Sequence, residues 1–311
     1  MPSAVSGGAR IRTNTPAENA YNSLQASSNS IALRQLRLST GKRINSAADD
    51  VSGYITSRAL GARNGALRSA LNAVGDASNV ANIAQDGYDN INNLLTTIKD
   101  AAATASSGAL GTDEKIALSK SAYRLAQQIQ TVVDSTVFGG RQLIKGGFSG
   151  DFVIGFDAAN TLLTLAIDLT TSVSQSNFNV DGVFDINVAG NGSFAGVTGL
   201  NLNSLDAVTS SDLQLFGNDQ ISLTLTSLSL ALNNVNKVAS YLGGMVNRLS
   251  SQEEALKSQI TNYRAAISRI EDADVALEQL ELVKAQFLQQ TSVTSLAQAN
   301  QSPQSFLQLI R

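Results

Sequence analysis

The stretch "LTSLSLALNNVNKVASYLGGMVNRLSSQEEALKSQITNYRAAISRI", residues 225–270, decides how the rest of the chain is read. Leu225, Leu228, Leu232, Val235, Ala239, Leu242, Val246, Leu249, Glu253, Leu256, Ile260, Tyr263, Ile267 and Ile270 follow one another at alternating steps of three and four, and only Glu253 is not apolar. A 3.5-residue repeat of this length predicts a long helix whose seam faces other helices. The residues just before it, "ISLTLT" at 221–226, alternate strictly, so the helix is expected to begin a few residues later than the repeat suggests. Beyond Ile270 the seam fails: its next positions are Asp274, Leu277, Glu281 and Lys284, and apolar residues regroup as Ala276, Leu280, Val283 and Phe287. The segment "RIEDAD", 269–274, is therefore expected to divide two helical bundles.

The N-terminal half follows the same plan. Tyr21, Leu24, Ser28, Ile31, Gln35 and Leu38 form a weak seam, and Ala84, Tyr88, Ile91, Leu95, Ile98, Ala102 and Ala105 a stronger one. A third runs through Leu118, Ala122, Leu125, Ile129 and Val132. Helices with such seams are marginal alone in water and need partners. Charge separates the two ends: residues 1–45 hold six cations against one acid, and residues 266–311 three cations against five acids. Opposite signs bias the ends toward each other or toward neighbouring copies, although exposed pairs contribute only about 0–1 kcal/mol each.

Between these seams lies "LSTGKRINSAADDVSGY", residues 38–54, which has the residue types of a phosphate loop or an acidic metal site. A phosphate loop needs a preceding buried strand and a second glycine five residues before the lysine, and both are missing. Asp49 and Asp50 are helix neighbours about 100° apart, which keeps both carboxylates from converging on one ion. A helix stop and restart accounts for every residue. Gly41 supplies the left-handed C-terminal position, and Lys42 and Arg43 lie at the negative end of the helix dipole. Asn45 or Ser46 then acts as N-cap, with Ser46 and Asp49 at capping-box spacing and two acids in the first turn.

Composition closes most chemistry. The chain has 311 residues, a net charge of −3, three prolines, and no histidine, cysteine or tryptophan. There is no thiolate, no imidazole base and no usual zinc ligand, so neither an enzyme nor any cofactor is expected; carboxylate-pair and carboxylate–magnesium chemistry stay open. The net charge favours no nucleic acid. No apolar run is long enough for a membrane span, and the N-terminus lacks the apolar core of a secretory signal. The middle reads differently from the ends: "FVIGFDAANTLLTLAID", 152–168, predicts a β-hairpin, and residues 170–215 are rich in Gly, Asn and Ser with strand-like pieces such as "GVFDINV".

Longer motifs carry a family resemblance. "SSNSIALRQLRLSTGKRINSAADDVSG" resembles the N-terminal region of bacterial flagellin, and "VFGGRQLI" (137–144) its FNG-x-x-LL segment. "LGGMVNRL" (242–249) and "SRIEDADVALEQLELVKAQFLQQTSVTSLAQANQSPQSFLQLI" (268–310) are similar to its C-terminal region. The resemblance implies a mainly α fold: a long antiparallel coiled coil and helical bundle built by both chain ends, with a β-hairpin and a small β-rich variable insertion. It implies an inner terminal domain, 1–45 with 272–311, disordered in the monomer. A bundle with the hairpin, 46–169 with 216–271, and a short outer segment, 170–215, follow. Polymerisation then falls to inner-helix residues Tyr21, Leu24, Ile31, Leu38, Leu277, Leu280, Val283 and Phe287. The two seam breaks form one inter-domain joint of Gly41, Arg43, Asn45, Asp49, Asp50, Glu271, Asp272 and Asp274.

The implied function is structural: a subunit exported unfolded by the flagellar type III system, secreted, and polymerised with itself into a helical filament for swimming. The alternative is a related hook–filament junction protein. Export chaperone, cap and junction proteins are the implied partners. About six extra residues, including "SGGA", precede the family's "I-x-T-N" start at Ile11, and Gly140 stands where the family has asparagine or its neighbour. Thr97 replaces the arginine read by the innate flagellin receptor of vertebrates, so weak or no recognition is expected.

Overall fold

The computed structural model describes residues 13–157, 161–169, 184 and 193–309. The N-terminal extension, and most of "GVFDINV", lie outside them. The described chain is mainly α, as the periodicity predicts. Helix α1 spans Thr15–Thr40, α2 Val51–Ala105, α3 Thr112–Ser135, α4 Ile221–Glu271 and α5 Val275–Leu309. At 1.5 Å per residue the 55-residue α2 is about 80 Å long. By density of internal contact the chain divides into two compact units, with the divisions after Gly65 and after Ile260.

In the first unit, α1 begins where the Asn14 side chain accepts the Ala17 N–H at 3.2 Å, with Pro16 in the first turn, and stops at Gly41, φ +69°. Its partner is α5. Gln289 Nε2 donates to Ser28 Oγ at 3.2 Å and Asn14 Nδ2 to the Ala299 carbonyl at 2.9 Å, so the pair is held along its length.

In the second unit every residue of the α2 seam expected from sequence is buried, from Ala84 through Tyr88, Ile91, Leu95, Ile98 and Ala102 to Ala105. Helices α3 and α4 correct the expectation. One row of the α4 seam, Leu228, Val235, Leu242, Leu249 and Leu256, is buried as expected. The second row is Ala231, Val238 and Met245, each one residue before the expected Leu232, Ala239 and Val246. Both members of each adjacent pair, Ala231 and Leu232, Val238 and Ala239, Met245 and Val246, are apolar, so the sequence supports two seams, and packing selects one. On α3 a one-residue shift in the opposite direction buries Ser119 and Ala126 where Leu118 and Leu125 were expected. The "ISLTLT" segment is helical from its first residue rather than strand-like, because Ile221, Thr224 and Leu228 fall on the buried face.

The sheets are small and antiparallel. Strands β1 (Val137–Phe138) and β2 (Arg141–Gln142) flank Gly139 and Gly140, both at positive φ, a tight turn that glycine adopts without strain. This turn region packs on α2 at Gly87, where a Cβ would collide with Ile144 Cδ1. Strands β3 (Ser149–Phe156) and β4 (Leu162–Asp168) form the expected hairpin, extended by three residues at its start. A bulge interrupts their register between Val153 and Gly155, and the Ile154 carbonyl there accepts the Gln252 side chain of α4 at 2.8 Å. Strands β5 (Ser193–Phe194) and β6 (Val197–Thr198), with 3-10 turns at Leu202–Ala207 and Gln214–Phe216, return the chain to α4. Leu200, Leu202, Leu205 and Phe216 are buried there.

Candidate functional site

Among the described residues, no three carboxylates gather as a metal site. No described helix is long and apolar enough to cross a membrane. The notable constructions are the joint and the terminal helix pair, both in the first unit.

At the joint the two seam breaks meet. The Gly41 carbonyl accepts the Ala273 N–H at 2.9 Å, and the Arg43 N–H donates to the Glu271 carbonyl at 2.7 Å. Lys42 and Asp272 form an isolated antiparallel bridge. Lys42 Nζ reaches the Glu271 carboxylate at 2.7 Å, and Arg43 Nη2 donates to the Ile270 carbonyl at 2.7 Å. The two cations thus serve the C-terminus of α4 as well as their own helix end. Ile44 is buried beneath them.

The restart differs in detail from the sequence reading. Asp49 Oδ2 accepts the N–H groups of Asn45 (3.0 Å) and Ser46 (2.8 Å) and the Ser46 hydroxyl (3.2 Å). These backbone hydrogen bonds, Ser46 first, hold its carboxyl below the ordinary value of 3.8. Residues 46–49 are a turn, and α2 begins only at Val51. Its N-cap is Asp50, whose Oδ1 accepts the Gly53 N–H at 2.9 Å, not Asn45 or Ser46. A Cβ on Gly53 would press on Asp50 and on Ile44, so glycine keeps the cap closed. Asp274 caps α5 in the same way, accepting the N–H groups of Ala276 (2.9 Å) and Leu277 (3.1 Å).

On the helix pair, Leu24, Ile31 and Leu38 are half-buried, whereas Tyr21 is exposed. On α5 the row turned inward is Glu278, Leu282 and Ala285, spaced by four and three. Leu277, Leu280, Val283 and Phe287 are 57%, 61%, 55% and 69% exposed. Leu280, Val283 and Phe287 form a stripe roughly opposite the buried row, since positions differing by two, five or nine residues fall on opposite sides of a helix. Sequence reading missed Glu278, buried with Arg34 Nη1 at 2.7 Å and Arg37 Nη1 at 3.2 Å. Its signal was present: Arg34 and Arg37 lie one turn apart, and a lone acid stands four residues before Leu282.

The helices, seams and joint have counterparts in known proteins. Residues 11–149 match the bacterial flagellin N-terminal helical region and residues 225–310 its C-terminal helical region, together most of the chain. The chain belongs to the bacterial flagellin family. Similar flagellins occur in Halalkalibacterium halodurans, 28% identical with 97% of this chain and 99% of the relative covered, and in Bacillus subtilis, 28% identical with 97% and 100% covered. A solved structure described as a flagellar hook-associated protein from Vibrio parahaemolyticus aligns at a TM-score of 0.54, 14% identity, 72% of this chain and 100% of that one, a likeness of fold alone. Flagellins are structural proteins rather than enzymes, and this one is a structural component of the bacterial flagellum, outside the cell.

Proposed function

We propose that this flagellin leaves the cell unfolded through the flagellar type III apparatus and polymerises helically through its terminal helices. The observation that carries the reading is the bare stripe on α5. An apolar stripe including Leu280, Val283 and Phe287 faces solvent, while the face turned to α1 is built partly of Glu278, Ala285 and Gln289. Fully burying a large apolar side chain contributes about 1.5–3 kcal/mol, so the more apolar face is the one left for other copies. The seam with α1 is weak, with Ser27 the only fully buried residue of α1. Ordering of residues 1–45 and 272–311 is therefore coupled to assembly, with 46–169 and 216–271 as the bundle around them and 170–215 as the outer segment.

The test is a Leu280→Ser/Phe287→Ser chain offered to filament seeds. Its critical concentration is expected to rise at least about tenfold, from loss of more than about 1.4 kcal/mol of contact. Elongation equal to the unaltered chain would remove the terminal helices from the mechanism. The fold likeness to a hook-associated protein supports a second reading, a hook–filament junction protein; such a protein would not elongate seeds indefinitely.

The joint of Gly41, Arg43, Asn45, Asp49, Asp50, Glu271, Asp272 and Asp274 acts, in this reading, as an adjustable angle passed along the filament. Gly41→Ala puts a side chain at φ +69° at a cost of about 1 kcal/mol and is expected to change filament shape by electron microscopy. Unchanged shape would make the joint a plain connector. Export chaperone, cap and junction proteins are the other partners. Thr97, whose hydroxyl donates to the Asn93 carbonyl at 2.9 Å, offers no cation to the innate receptor, and a receptor assay on purified chain is the check.

A further inference from the structure

The second unit carries two helix faces of opposite sign. From Asp76 onward α2 holds Asp76, Asp86, Asp89 and Asp100 against Lys99. Asp86, Asp89 and Asp100 are exposed, and their spacing of three and eleven puts them within about 60° of one another, on the side away from the buried Tyr88, Ile91 and Leu95. On α4, residues 221–252 hold Lys237 and Arg248 and no acid at all. These two cations are exposed eleven residues apart, on one ridge away from the buried Leu242 and Leu249. Among the described residues, none of these five side chains forms an ion pair.

A third observation lies on the α4 ridge. Gly243 and Gly244 stand in the middle of a helix, where each costs about 1 kcal/mol relative to alanine. A Cβ on either would meet nothing within 4 Å. No packing inside the subunit calls for them; Gly244 lies on the line between Lys237 and Arg248 and leaves that point of the ridge bare, whereas Gly243 lies about 120° away.

We infer that the α4 ridge of one copy, centred on Lys237, Gly244 and Arg248, docks on the Asp86, Asp89 and Asp100 ridge of α2 in a second copy. The inference rests on the filament reading and deepens it. The two ridges are different patches of the same molecule, so their contact is heterologous and continues from copy to copy instead of closing a dimer. Opposite charge steers the incoming subunit and penalises the wrong pairings, those of α2 against α2 or α4 against α4. The missing side chain at Gly244 leaves a gap in the ridge, beside the half-buried Tyr241, where a second helix can approach.

The experiment is seeded elongation by the full chain at low and high ionic strength. Lys237→Glu/Arg248→Glu and Asp86→Lys/Asp89→Lys/Asp100→Lys are each expected to slow low-salt elongation at least about tenfold, with helix content unchanged by circular dichroism because all five residues are exposed. The chain carrying both sets of reversals is expected to recover, since its ridges are again complementary. Equal elongation by either single set, or no recovery in the combined chain, overturns the docking. If the unaltered chain fails to elongate its own seeds, the filament reading falls and takes the docking with it.

Discussion

Glu278→Ala is expected to raise the critical concentration for assembly about a hundredfold. The carboxylate is 7% exposed and faces two guanidinium groups, and both Arg34 Nε and Arg37 Nε are already buried without an acceptor. Removing the only acid leaves two partly buried cations against each other. Breaking such a cluster from one side costs about 3–5 kcal/mol when fully buried; the arginines keep 24% and 16% exposure, so the lower end, about 3 kcal/mol, applies. Where ordering of α1 and α5 is coupled to assembly, that loss enters the critical concentration directly, at about 1.4 kcal/mol per tenfold. A control separates charge from packing. Arg34→Met/Arg37→Met/Glu278→Leu removes the whole cluster and is expected to assemble near normally, since apolar replacement of a buried ion pair is often neutral or stabilising. Its helices would lose a polar marker of register. Unaltered assembly by Glu278→Ala alone would show that the cluster does not hold the pair.

Why Glu278 escaped sequence reading is instructive. An acid between Leu277 and Leu280 looks like the wet side of a helix whose apolar side is Leu280, Val283 and Phe287. The two faces of α5 exchange roles because α1 meets Glu278 with Arg34 and Arg37, and Gln289 with Ser28. A single chain states which residues are apolar; it does not state whether the apolar face meets its own chain or another. The same limit shifted the second seam row of α4 by one residue, where Ala231 and Leu232, or Val238 and Ala239, are both apolar and adjacent. On α2 that seam was legible in full, because Asn90, Asn92, Asn93, Thr96 and Thr97 surround Ile91 and Leu95 and only Leu94 offers an apolar neighbour. At the joint, Asn45 or Ser46 was the expected cap, with both acids in the first turn; Asp49 instead turns back to Asn45 and Ser46, which leaves the helix start to Asp50. The least legible part was the middle, where Phe184, Phe194 and Phe216 follow no period and lie among Gly, Asn and Ser, so nothing marks them as core.

Phe194→Ala is expected to destabilise the second unit by about 3–5 kcal/mol. Phe194 is 2% exposed and meets Phe184 edge-on at 5.4 Å between ring centroids, and Phe184 in turn meets Tyr88 of α2 at 6.3 Å. Each such pair adds about 0.5–1.5 kcal/mol beyond burial. The chain after Phe194 is tied to α4 by Asn234 Nδ2 donating to the Ala195 carbonyl at 3.0 Å, which also holds Ala195 at φ +50°. A void at Phe194 therefore loosens two attachments of this segment at once. Tyr88 reports the change independently of any unfolding curve. Its burial pushes the phenol pKa above the ordinary 10.0. The neutral phenol is the buried form, so its contribution is complete below pH 10.0 and is lost progressively as pH rises further. In Phe194→Ala, water reaches Tyr88, and phenolate absorbance is expected at lower pH than in the unaltered chain. A lowered urea midpoint together with earlier ionisation would show that these aromatic residues are part of the bundle core. If the midpoint holds and Tyr88 still resists ionisation, the segment around Phe194 is an appendage that the bundle does not need.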